Sequence, residues 1–328
     1  MDSFYKDKTI LVTGGSGSIG SELVRKIVNL KPRSLRIFDN NETALFEIEE
    51  ELLAIEEKEG RKIIRTLIGD VRDKERLERA LEGVDIVFHA AALKHVPLCE
   101  FNPFDAVKTN VIGTQNVLDA ALNQNVEKFI LVSTDKAVNP INVMGTTKLL
   151  AERLTIAANS YGPTKRTQFS CVRFGNVLNS RGSVVPIFQR QLAHGGPVTI
   201  TDPTMTRFIM RIPDAAELIL KAGEQAEGGE IFILKMPAVQ IDDLAEAMIE
   251  EIAEKPEEIE TVLIGKRVNE KMYEELMTQE EAIYAVEKED LFIINSSKQP
   301  THNNIEYNSH TIDRLSKDEI KLILREIL

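Results

Sequence analysis

The sequence predicts an α/β fold built on a doubly wound, mainly parallel sheet with a smaller C-terminal lobe. Short apolar segments alternate with longer amphipathic segments, the rhythm of strands and covering helices in such a sheet. The first apolar segment runs into a glycine-rich turn that opens an amphipathic segment. The alternation continues to residue 176, so we expect residues 1–176 to form the first domain.

Composition limits the class of protein. The chain has 328 residues, 43% of them hydrophobic and 28% charged, which is ordinary for a globular protein with a full core. Its net charge of -12, with no basic stripe, argues against a nucleic-acid partner, because phosphate backbones are bound through basic patches.

Cysteine content and hydropathy indicate a compartment. Cys99 and Cys171 are far apart, with no CxxC or Cys/His cluster, so neither a disulfide framework nor a metal site is predicted. No signal peptide opens the chain, and no apolar run approaches the roughly 18 residues of a membrane span. We therefore expect a cytoplasmic protein without membrane contact.

A glycine-rich turn follows the predicted strand Thr9–Thr13 and precedes a predicted helix over Ser21–Asn29. Its spacing lets the backbone turn sharply and approach a pyrophosphate at a helix N-terminus, as in the Rossmann fold. The residues that we assign to this contact are Gly14, Ser16, Gly17, Ser18, Ile19 and Gly20.

Asp39 closes the second predicted strand, Ser34–Phe38, about twenty residues beyond the turn, where an acid binds a ribose hydroxyl. Asn40 and Asn41 follow it and are assigned to the same contact. Because a carboxylate repels a 2'-phosphate, the preferred cofactor is NAD, with NADP possible.

The remaining sheet elements alternate in order. They are helix 42–58, strand 63–68, helix 73–81, strand 86–89, helix 103–123, strand 129–132, helix 144–160 and strand 169–174. Later segments return to the first domain over about 213–236, with a helix over Pro213–Glu224 and a strand over Glu230–Lys235. Residues 177–212 and 237–328 are predicted to form the substrate-binding lobe, with a helix at 241–252 and a strand at 261–264.

Further cofactor-side candidates lie at predicted strand ends. Asp70 and Val71 follow the third strand, where a carboxylate can bond an adenine amine or be an ordinary loop acid. Ala90, Ala91 and Ala92 leave room for a flat ring. Asn110 is a polar residue in an apolar helix, and it either contributes to the cofactor site or holds a buried water or backbone group.

The stretch Val132–Lys148 carries the densest polar chemistry. Ser133, Thr134, Asp135 and Lys136 end the strand at 129–132, and Asn139-Pro140 then breaks the chain. Met144 and Lys148 lie four apart on one face of the next helix. Ligands of open α/β sheets bind outside the carboxyl ends of the strands, so this strand end is a candidate active site.

Several motifs together resemble the extended short-chain dehydrogenase/reductase superfamily, and within it the inverting UDP-N-acetylglucosamine 4,6-dehydratases. The similarity spans residues 9 to about 275. The motifs that carry it are His89-Ala90-Ala91-Ala92-Leu93-Lys94-His95-Val96-Pro97, Ser133-Thr134-Asp135-Lys136 with Asn139-Pro140, Arg173-Phe174-Gly175-Asn176-Val177, Ser180-Arg181-Gly182-Ser183-Val184-Val185-Pro186, and Met205-Thr206-Arg207-Phe208.

The resemblance implies a hydro-lyase reaction on UDP-N-acetylglucosamine or a close UDP-sugar. Hydride leaves sugar C4, the C5 proton and the 6-hydroxyl are lost as water, and hydride returns to C6 with inversion at C5. It also implies a homo-oligomer. The implied cofactor contacts include Ser133, Lys94 and Lys148.

The implied catalytic residues are Thr134, Asp135, Lys136, Met144 and Lys148. Lys136 is the C5 base, which requires a lowered pKa that Asp135 would oppose. Asp135 is the acid for the departing hydroxyl, Thr134 binds the 4-hydroxyl, and Lys148 holds the nicotinamide ribose. The alternative for Asp135 and Lys136 is a surface ion pair worth about 0 to 1 kcal/mol.

Arg207 and Arg267 are the expected diphosphate contacts, because a guanidinium matches phosphate oxygens. The other substrate-side candidates are Lys94, Thr134, Asn176, Arg181 and Glu270. All of them except Thr134 could instead be solvated surface residues.

The sequence departs from the superfamily in two places. The catalytic pair Tyr-x-x-x-Lys has Met144 at the tyrosine position, as in some members of the dehydratase group, and keeps Lys148. Arg267-Val268-Asn269-Glu270-Lys271 stands where relatives commonly have Arg-Pro-Gly-Glu-Lys. A second Tyr/Lys pair, Tyr161 and Lys165, encloses Gly-Pro, which forbids helical spacing.

Two other functions stay open from the sequence. A UDP-sugar 4-epimerase shares the fold and the C4 oxidation but needs no C5 base. A non-catalytic NAD-binding sensor would explain the missing tyrosine. Loss of water with solvent deuterium at C5 separates the first from a dehydratase, and turnover of any UDP-sugar excludes the second.

Overall fold

A computed structural model describes residues 2–161, 167–301 and 305–328. Its strands are β1 (Thr9–Thr13), β2 (Ser34–Asp39), β3 (Ile64–Ile68), β4 (Ile86–His89), β5 (Lys128–Val132), β6 (Gln168–Arg173), β7 (Asn176–Val177), β8 (Val198–Ile200), β9 (Thr206–Met210), β10 (Ile231–Leu234), β11 (Ala238–Gln240), β12 (Thr261–Leu263), β13 (Ala285–Glu287) and β14 (Leu291–Ile294).

Its α-helices are α1 (Asp2–Tyr5), α2 (Ser18–Asn29), α3 (Glu42–Glu59), α4 (Lys74–Leu81), α5 (Val96–Phe101), α6 (Pro103–Ala106), α7 (Thr114–Asn123), α8 (Val143–Ala158), α9 (Val184–Ala193), α10 (Ile212–Gln225), α11 (Ile241–Ile252), α12 (Gln279–Ala282) and α13 (Lys317–Ile327). A π-helical segment, Val107–Gly113, joins α6 to α7, and short 3-10 turns lie at Asp135–Ala137 and Pro256–Glu258. Residues 162–165 of the second Tyr/Lys pair lie outside the described residues.

The main sheet confirms the predicted α/β fold. Within the described residues, nine strands pair in the order β13-β14-β10-β6-β5-β4-β1-β2-β3. Every pair from β3 to β10 is parallel, and β14 and β13 add an antiparallel edge. All residues of β1, β4 and β5 are buried, as expected for central strands that helices cover on both faces.

The order of the strands creates a crevice. The chain moves outward from β1 to β2 and β3, then returns to place β4 on the other side of β1. Loops leaving β1 and β4 therefore diverge to opposite sides, and this switch point is where ligands bind in doubly wound sheets. The glycine-rich turn and the three alanines both lie there.

A second hydrophobic core lies apart from the sheet. It contains Val185 and Phe188 of α9, Leu244 and Met248 of α11, and Leu324 of α13. Two small sheets, ordered β11-β9-β7 and β12-β8, border it. Helix α13, for which the sequence analysis predicted no element, is amphipathic and packs along α11.

The chain crosses between the two regions more often than predicted. Strand β10 pairs with β6, so the segment around 213–236 does return to the main sheet. The assignment of all of residues 237–328 to the second lobe is wrong for 285–294, because β14 pairs antiparallel with β10 and β13 with β14. These strands are too short to be distinguished from loop segments by periodicity.

Within the described parts of the chain, no helix is long and apolar enough to cross a membrane. The same residues hold no group of three or more His, Cys, Asp or Glu side chains that could hold a metal ion. Cys99 and Cys171 are free and buried.

Candidate active site

A cleft of about 1280 Å³ runs along the carboxyl ends of the parallel strands and under the second lobe. On the sheet side it is lined by Gly14, Asp39, Ala90 and Ser133, which end or follow β1, β2, β4 and β5. Its volume exceeds the roughly 300 to 1,000 Å³ of a pocket for one small ligand. The cleft therefore has room for a dinucleotide and a second ligand end to end.

The glycine-rich turn needs its glycines because the backbone is crowded. Gly14 has φ +65°, and a Cβ there would lie 2.7 Å from the backbone nitrogen of Ala91. A Cβ on Gly20 would lie 2.0 Å from the carbonyl oxygen of Gly14. Helix α2 begins at Ser18, three residues earlier than predicted, so its N-terminus opens directly into the cleft.

The second lobe contacts this turn. The Ser18 hydroxyl oxygen accepts a hydrogen bond of 3.1 Å from the backbone N–H of Arg181. Ile19 also lines the cleft. Ser16 is 4% exposed, and its backbone N–H donates a hydrogen bond to Asp39. The turn thus joins the cofactor side of the cleft to the lobe that covers it.

Asp39 is oriented by its neighbours. Its two carboxylate oxygens accept hydrogen bonds of 3.1 Å from the backbone N–H groups of Ser16 and Asn41. The Asn41 side chain caps helix α3 by accepting from Ala44, while Asn40 lines the cleft. Asp39 is therefore fixed at the cleft wall, where a ribose hydroxyl could donate to it.

Asp70 is committed to a partner on the protein. Arg72 donates to its two oxygens at 2.9 and 2.6 Å, and Asn40 donates at 3.5 Å. The hydrogen bonds from Arg72 lower the pKa of Asp70. Asp70, Val71 and Arg72 all line the cleft, so the ion pair itself forms part of the cleft wall.

Asn110 supports the cleft from behind. It is 1% exposed and exchanges two hydrogen bonds with the backbone of Leu93, at 2.8 and 3.0 Å, and donates to Thr147 at 3.0 Å. The π-helical segment carries Asn110 to this position. Of the two roles left open by the sequence, the structure supports the hold on backbone, which fixes the course of the chain after Ala92.

The predicted acid–base block, Thr134 to Lys136, is arranged around the ammonium group of Lys136. Lys136 Nζ donates to Asp135 Oδ1 at 2.9 Å and to Asn176 Oδ1 at 3.0 Å, and Glu274 Oε1 lies 3.7 Å away. Thr134 Oγ1 also donates to Asp135 Oδ1, at 2.8 Å. Thr134 and Lys136 line the cleft, while Asp135 is fully buried behind them.

The charge of Lys136 is decided by its neighbours. Burial alone would lower its pKa, but the charges of Asp135 and Glu274 and the hydrogen bond to Asp135 outweigh burial and raise it. The lowered pKa expected of a C5 base is therefore absent in the ligand-free protein. Lys136 is an ammonium there, and it must lose a proton before it can act as a base.

Lys148 lies on α8 beneath the same strand end. Its Nζ donates to the carbonyl oxygen of Val132 at 2.6 Å, and it is 7% exposed. Burial lowers the pKa of Lys148 to about 8, although Glu152 opposes the shift. Met144 and Ser133 line the cleft beside it, and the buried Ser133 hydroxyl has no hydrogen-bond partner among the described residues.

The substrate-side arginines differ in availability. Arg207 is 7% exposed, and its guanidinium already donates to the carbonyl oxygens of Thr206, Lys271 and Met272. Arg267 is exposed and lines the cleft, as do Lys94 and Arg181. Arg207 thus has few donors left for a diphosphate, and the exposed cations are better placed to bind one.

Glu270 and Glu274 border this region, and the sequence analysis missed Glu274. Glu270 Oε1 lies 3.7 Å from Arg207, and its other oxygen accepts from the backbone of Arg267. Glu274 is 3% exposed and lines the cleft. Glu274-Glu275 reads as an ordinary acidic pair, and nothing in the sequence says which of the two is buried.

The sheet side of the cleft fits a dinucleotide. A backbone free of Cβ atoms, a helix N-terminus and a fixed carboxylate lie along one wall, each suited to a different part of such a molecule. The far end of the cleft carries arginines and lysines that suit the phosphates of a second ligand.

Comparison with known proteins agrees with this geometry. Residues 10–296 match the model of a family described as Polysaccharide biosynthesis protein. A protein named as an uncharacterized membrane protein of Methanocaldococcus jannaschii is 59% identical over 100% of this chain and 98% of its own length. An inverting UDP-N-acetylglucosamine 4,6-dehydratase of Campylobacter jejuni is 41% identical over 89% of this chain and 84% of its own.

A UDP-glucose 4-epimerase of Rickettsia rickettsii is 40% identical over 98% of this chain and 96% of its own. The chain spans about half the length, 46%, of related polysaccharide biosynthesis proteins from Staphylococcus aureus and Bacillus subtilis.

Solved structures agree with the fold. Pen from Bacillus thuringiensis superposes with a TM-score of 0.92 and is 42% identical, covering 98% of this chain and 99% of its own. The UDP-glucose 4-epimerase of Thermus thermophilus, in complex with NAD, superposes with a TM-score of 0.66 and is 25% identical, covering 80% of this chain and 88% of its own.

Proposed function

We propose a specific reaction for this chain, which belongs to the polysaccharide biosynthesis protein family. Its relatives support an enzyme of the nucleotide-sugar dehydratase and epimerase kind. The proposed activity is C5-inverting 4,6-dehydration of UDP-N-acetylglucosamine, a hydro-lyase reaction. The observation that carries it is the hydrogen-bonded pair of Asp135 and Lys136 at the end of β5. A dehydratase needs an acid and a base close to the same part of the substrate.

The proposed cofactor is NAD, held on the sheet side of the cleft. The turn over Gly14 to Gly20 and the N-terminus of α2 would hold its pyrophosphate, and Asp39 its ribose. Lys148 would hold the nicotinamide ribose. When bound, NAD accepts hydride from sugar C4 and returns it at C6.

Elimination of water requires one proton to move within the acid–base block. Lys136 gives its proton to Asp135 across the 2.9 Å hydrogen bond, which leaves a neutral amine and a carboxylic acid. The amine takes the C5 proton, and the acid proton passes to the departing 6-hydroxyl, which leaves as water. When hydride is returned at C6, a proton derived from solvent is added at C5 on the opposite face, which completes the balance and inverts C5. Since Asp135 is buried behind Thr134, which bonds to it, the Thr134 hydroxyl is the proposed relay to the cleft.

The C4 proton needs another route, because Met144 has no proton to exchange. Thr134 lines the cleft and is hydrogen-bonded to Asp135, so it can take the 4-hydroxyl proton while its own proton passes to Asp135. That proton leaves to solvent before Asp135 receives the one from Lys136. Lys148, with a pKa of about 8, adds positive potential beside this position. We propose that Met144 stands where related enzymes have a catalytic tyrosine.

The UDP group is proposed to bind under the second lobe. Arg267, Arg181 and Lys94 are the accessible cations that line this end of the cleft. Arg207 would act mainly by shaping the segment at Lys271 and Met272 to which it is bonded. Asn176 holds Lys136, and Glu270 orients the loop at Arg267.

The same proposal assigns the parts of the chain and its setting. Residues 1–176, 213–236 and 285–294 form the cofactor side, and the remainder forms the substrate side. We propose a homo-oligomer in the cytoplasm. The free, buried Cys99 and Cys171 fit a reducing compartment.

The epimerase is the alternative that a specific observation favours, because the Rickettsia relative covers nearly the whole chain. An epimerase oxidises and re-reduces C4 and leaves the C5 proton untouched. The Asp135 and Lys136 pair would then have no C5 proton to move, which is why we favour the dehydratase.

The reaction is tested by NMR of UDP-N-acetylglucosamine incubated with the protein and NAD in D₂O. We expect a 4-keto, 6-deoxy product with deuterium at C5 and inverted C5 configuration. Lys136→Ala should lower the rate by about 10² to 10⁴, the contribution of a general base, and abolish deuterium uptake at C5.

Lys62→Ala is the matched control, because Lys62 is an exposed lysine outside the cleft. It should leave rate and labelling unchanged. Epimerised UDP-sugar without loss of water would establish the alternative function. Undiminished C5 labelling by Lys136→Ala would remove Lys136 as the base.

A further inference from the structure

The ammonium of Lys136 has three oxygen neighbours, two of which accept hydrogen bonds from it. Asp135 Oδ1 and Asn176 Oδ1 accept hydrogen bonds, and Glu274 Oε1 lies in ion-pair range at 3.7 Å. The three oxygens come from the turn after β5, from β7 and from the segment after β12. An ammonium has no lone pair that could accept a proton. The partners that stabilise the charged form therefore decide when Lys136 can act as a base.

Glu274 is a buried acid whose carboxylate lies near cationic side chains rather than in solvent. It is 3% exposed, and its Oε2 has no hydrogen-bond partner among the described residues. A buried, unpartnered carboxylate oxygen costs free energy, and such groups are retained where function uses them. The backbone of Glu274 is fixed independently of its carboxylate by Ser309, which it bonds in both directions.

Other charges meet at the same place. Arg207 Nε lies 4.0 Å from Glu274 Oε1, and Lys271 also acts on the Glu274 carboxylate. Burial and the nearby Asp135 raise the pKa of Glu274, while Lys136, Arg207 and Lys271 oppose that shift. Around Lys136 itself, Asp135 and Glu274 supply negative charge and Arg207 supplies positive charge.

We propose that Glu274 is a positioning residue for the dehydration, which holds Lys136 between two carboxylates and keeps it protonated until substrate is bound. This inference rests on the proposed function for its catalytic meaning. Its physical content, the charge of Lys136, does not depend on any substrate. Glu274 would act only through Lys136 and touch no reacting atom.

The direct test is competitive acetylation of the ligand-free full chain across a pH series, with mass spectrometry of the peptide that contains Lys136. Only the neutral amine reacts, so the midpoint of labelling reports its protonation. Glu274→Gln keeps the shape and removes the charge. The midpoint should fall by about 1 pH unit or more, because an opposite charge within 4 to 6 Å favours the charged form by that amount.

Two further variants isolate the charge. Glu274→Asp retains it and should keep the midpoint near that of the wild type. Glu275→Gln removes the neighbouring charge, which pairs instead with Lys271 at 3.9 Å, and should leave Lys136 unaffected. An unchanged midpoint in Glu274→Gln, with thermal unfolding like that of the wild type, would overturn the proposal.

Activity supplies the second readout. If UDP-N-acetylglucosamine is converted, the acid limb of the pH–rate profile for C5 deuterium uptake should shift to lower pH in Glu274→Gln. Removing the nearby negative charge disfavours the additional proton that would keep Lys136 charged after its proton has passed to Asp135. A profile that does not move would contradict the role in dehydration. No conversion by the wild type would refute the proposed function alone, since the labelling result stands without turnover.

Discussion

His89 is a single side chain that joins three elements under the cofactor side of the cleft. Its Nδ1 lies 2.6 Å from the Thr13 hydroxyl on β1, and its Nε2 lies 3.0 Å from the Thr114 hydroxyl on α7. The ring is 1% exposed. Burial, with a smaller effect of Lys148, lowers the pKa of His89 to about 3, so the ring is neutral in the folded protein at neutral pH.

His89 should make the protein sensitive to acid. The unfolded chain protonates this ring near pH 6.5, whereas the folded chain does so near 3, so its stabilisation is complete above 6.5 and is lost as pH falls toward 3. The loss is about 1.4 kcal/mol per pH unit over that range. His89→Gln should therefore reduce the decrease in unfolding free energy between pH 7 and pH 4.5.

The measurement is urea unfolding of both proteins at the two pH values. Carboxylates contribute to acid sensitivity equally in both, so the difference between the two proteins isolates His89. An identical decrease in both proteins would contradict the proposed neutrality of the buried ring.

At the scale of elements, Arg173 connects helix α8 to the C-terminal region. It is 1% exposed, donates to both oxygens of Glu152 on α8 at 2.9 and 2.7 Å, and binds Glu281 of α12 at 2.7 Å. It also donates to the carbonyl oxygen of Leu276. The network therefore fixes α8, which carries Lys148, relative to the segment that carries Glu274.

Helix α13 completes the second core, and it does so through apolar contacts. Leu324 is fully buried and Ile320 is 1% exposed in that core, whereas Leu322 is 60% exposed. Ion pairs from Arg325 to Glu251 and from Lys317 to α11 flank the apolar face. The helix is held mainly by its buried side chains, because exposed pairs contribute little.

Leu324→Ala should destabilise the protein by about 2 to 5 kcal/mol, since it removes buried methyl groups and leaves a cavity. Leu322→Ala, three-fifths exposed on the same helix, should change stability by no more than about 0.5 kcal/mol. Chemical denaturation of the three proteins measures both values. Equal effects of the two substitutions would mean that α13 does not pack on α11 in solution.

At the scale of the whole molecule, one cleft spans both regions. Its sheet side comes from strand ends, and its far side comes from the second lobe and the loop at Arg267. The hydrogen bond from the backbone N–H of Arg181 to the Ser18 hydroxyl joins the two regions beside the glycine-rich turn. A ligand on the sheet side should therefore stabilise the whole chain.

NAD at 100 times its Kd should raise the unfolding free energy by about 2.7 kcal/mol, as for any ligand that binds only the folded state. NADP at the same concentration should stabilise less, because Asp39 repels its 2'-phosphate. Asp39→Asn should narrow the difference between the stabilisation by NAD and the stabilisation by NADP. Thermal unfolding with each dinucleotide measures this, and equal or greater stabilisation by NADP would overturn the preference for NAD.

Local chain geometry explains what the sequence could predict. The glycine-rich turn, Asp39, and the polar block after β5 each follow a strand within a few residues, so their position at the sheet edge follows from the strand alone. The same holds for Met144 and Lys148, which one helical turn brings to one face. Most of these residues line the cleft, whereas Asp135 and Ser16 lie buried behind its wall.

The sequence by itself determined the α/β fold, the glycine-rich turn after β1 and the polar block Ser133–Lys136 after β5, because these depend on neighbours in the chain. Only the tertiary structure decided the charge of Lys136, the burial of Asp135 and Glu274, and the membership of β13 and β14 in the main sheet. Each of these depends on residues far apart in sequence. A pKa follows from the charges and the burial around a group, and that surrounding exists only after the distant segment at Glu274 has packed against the end of β5.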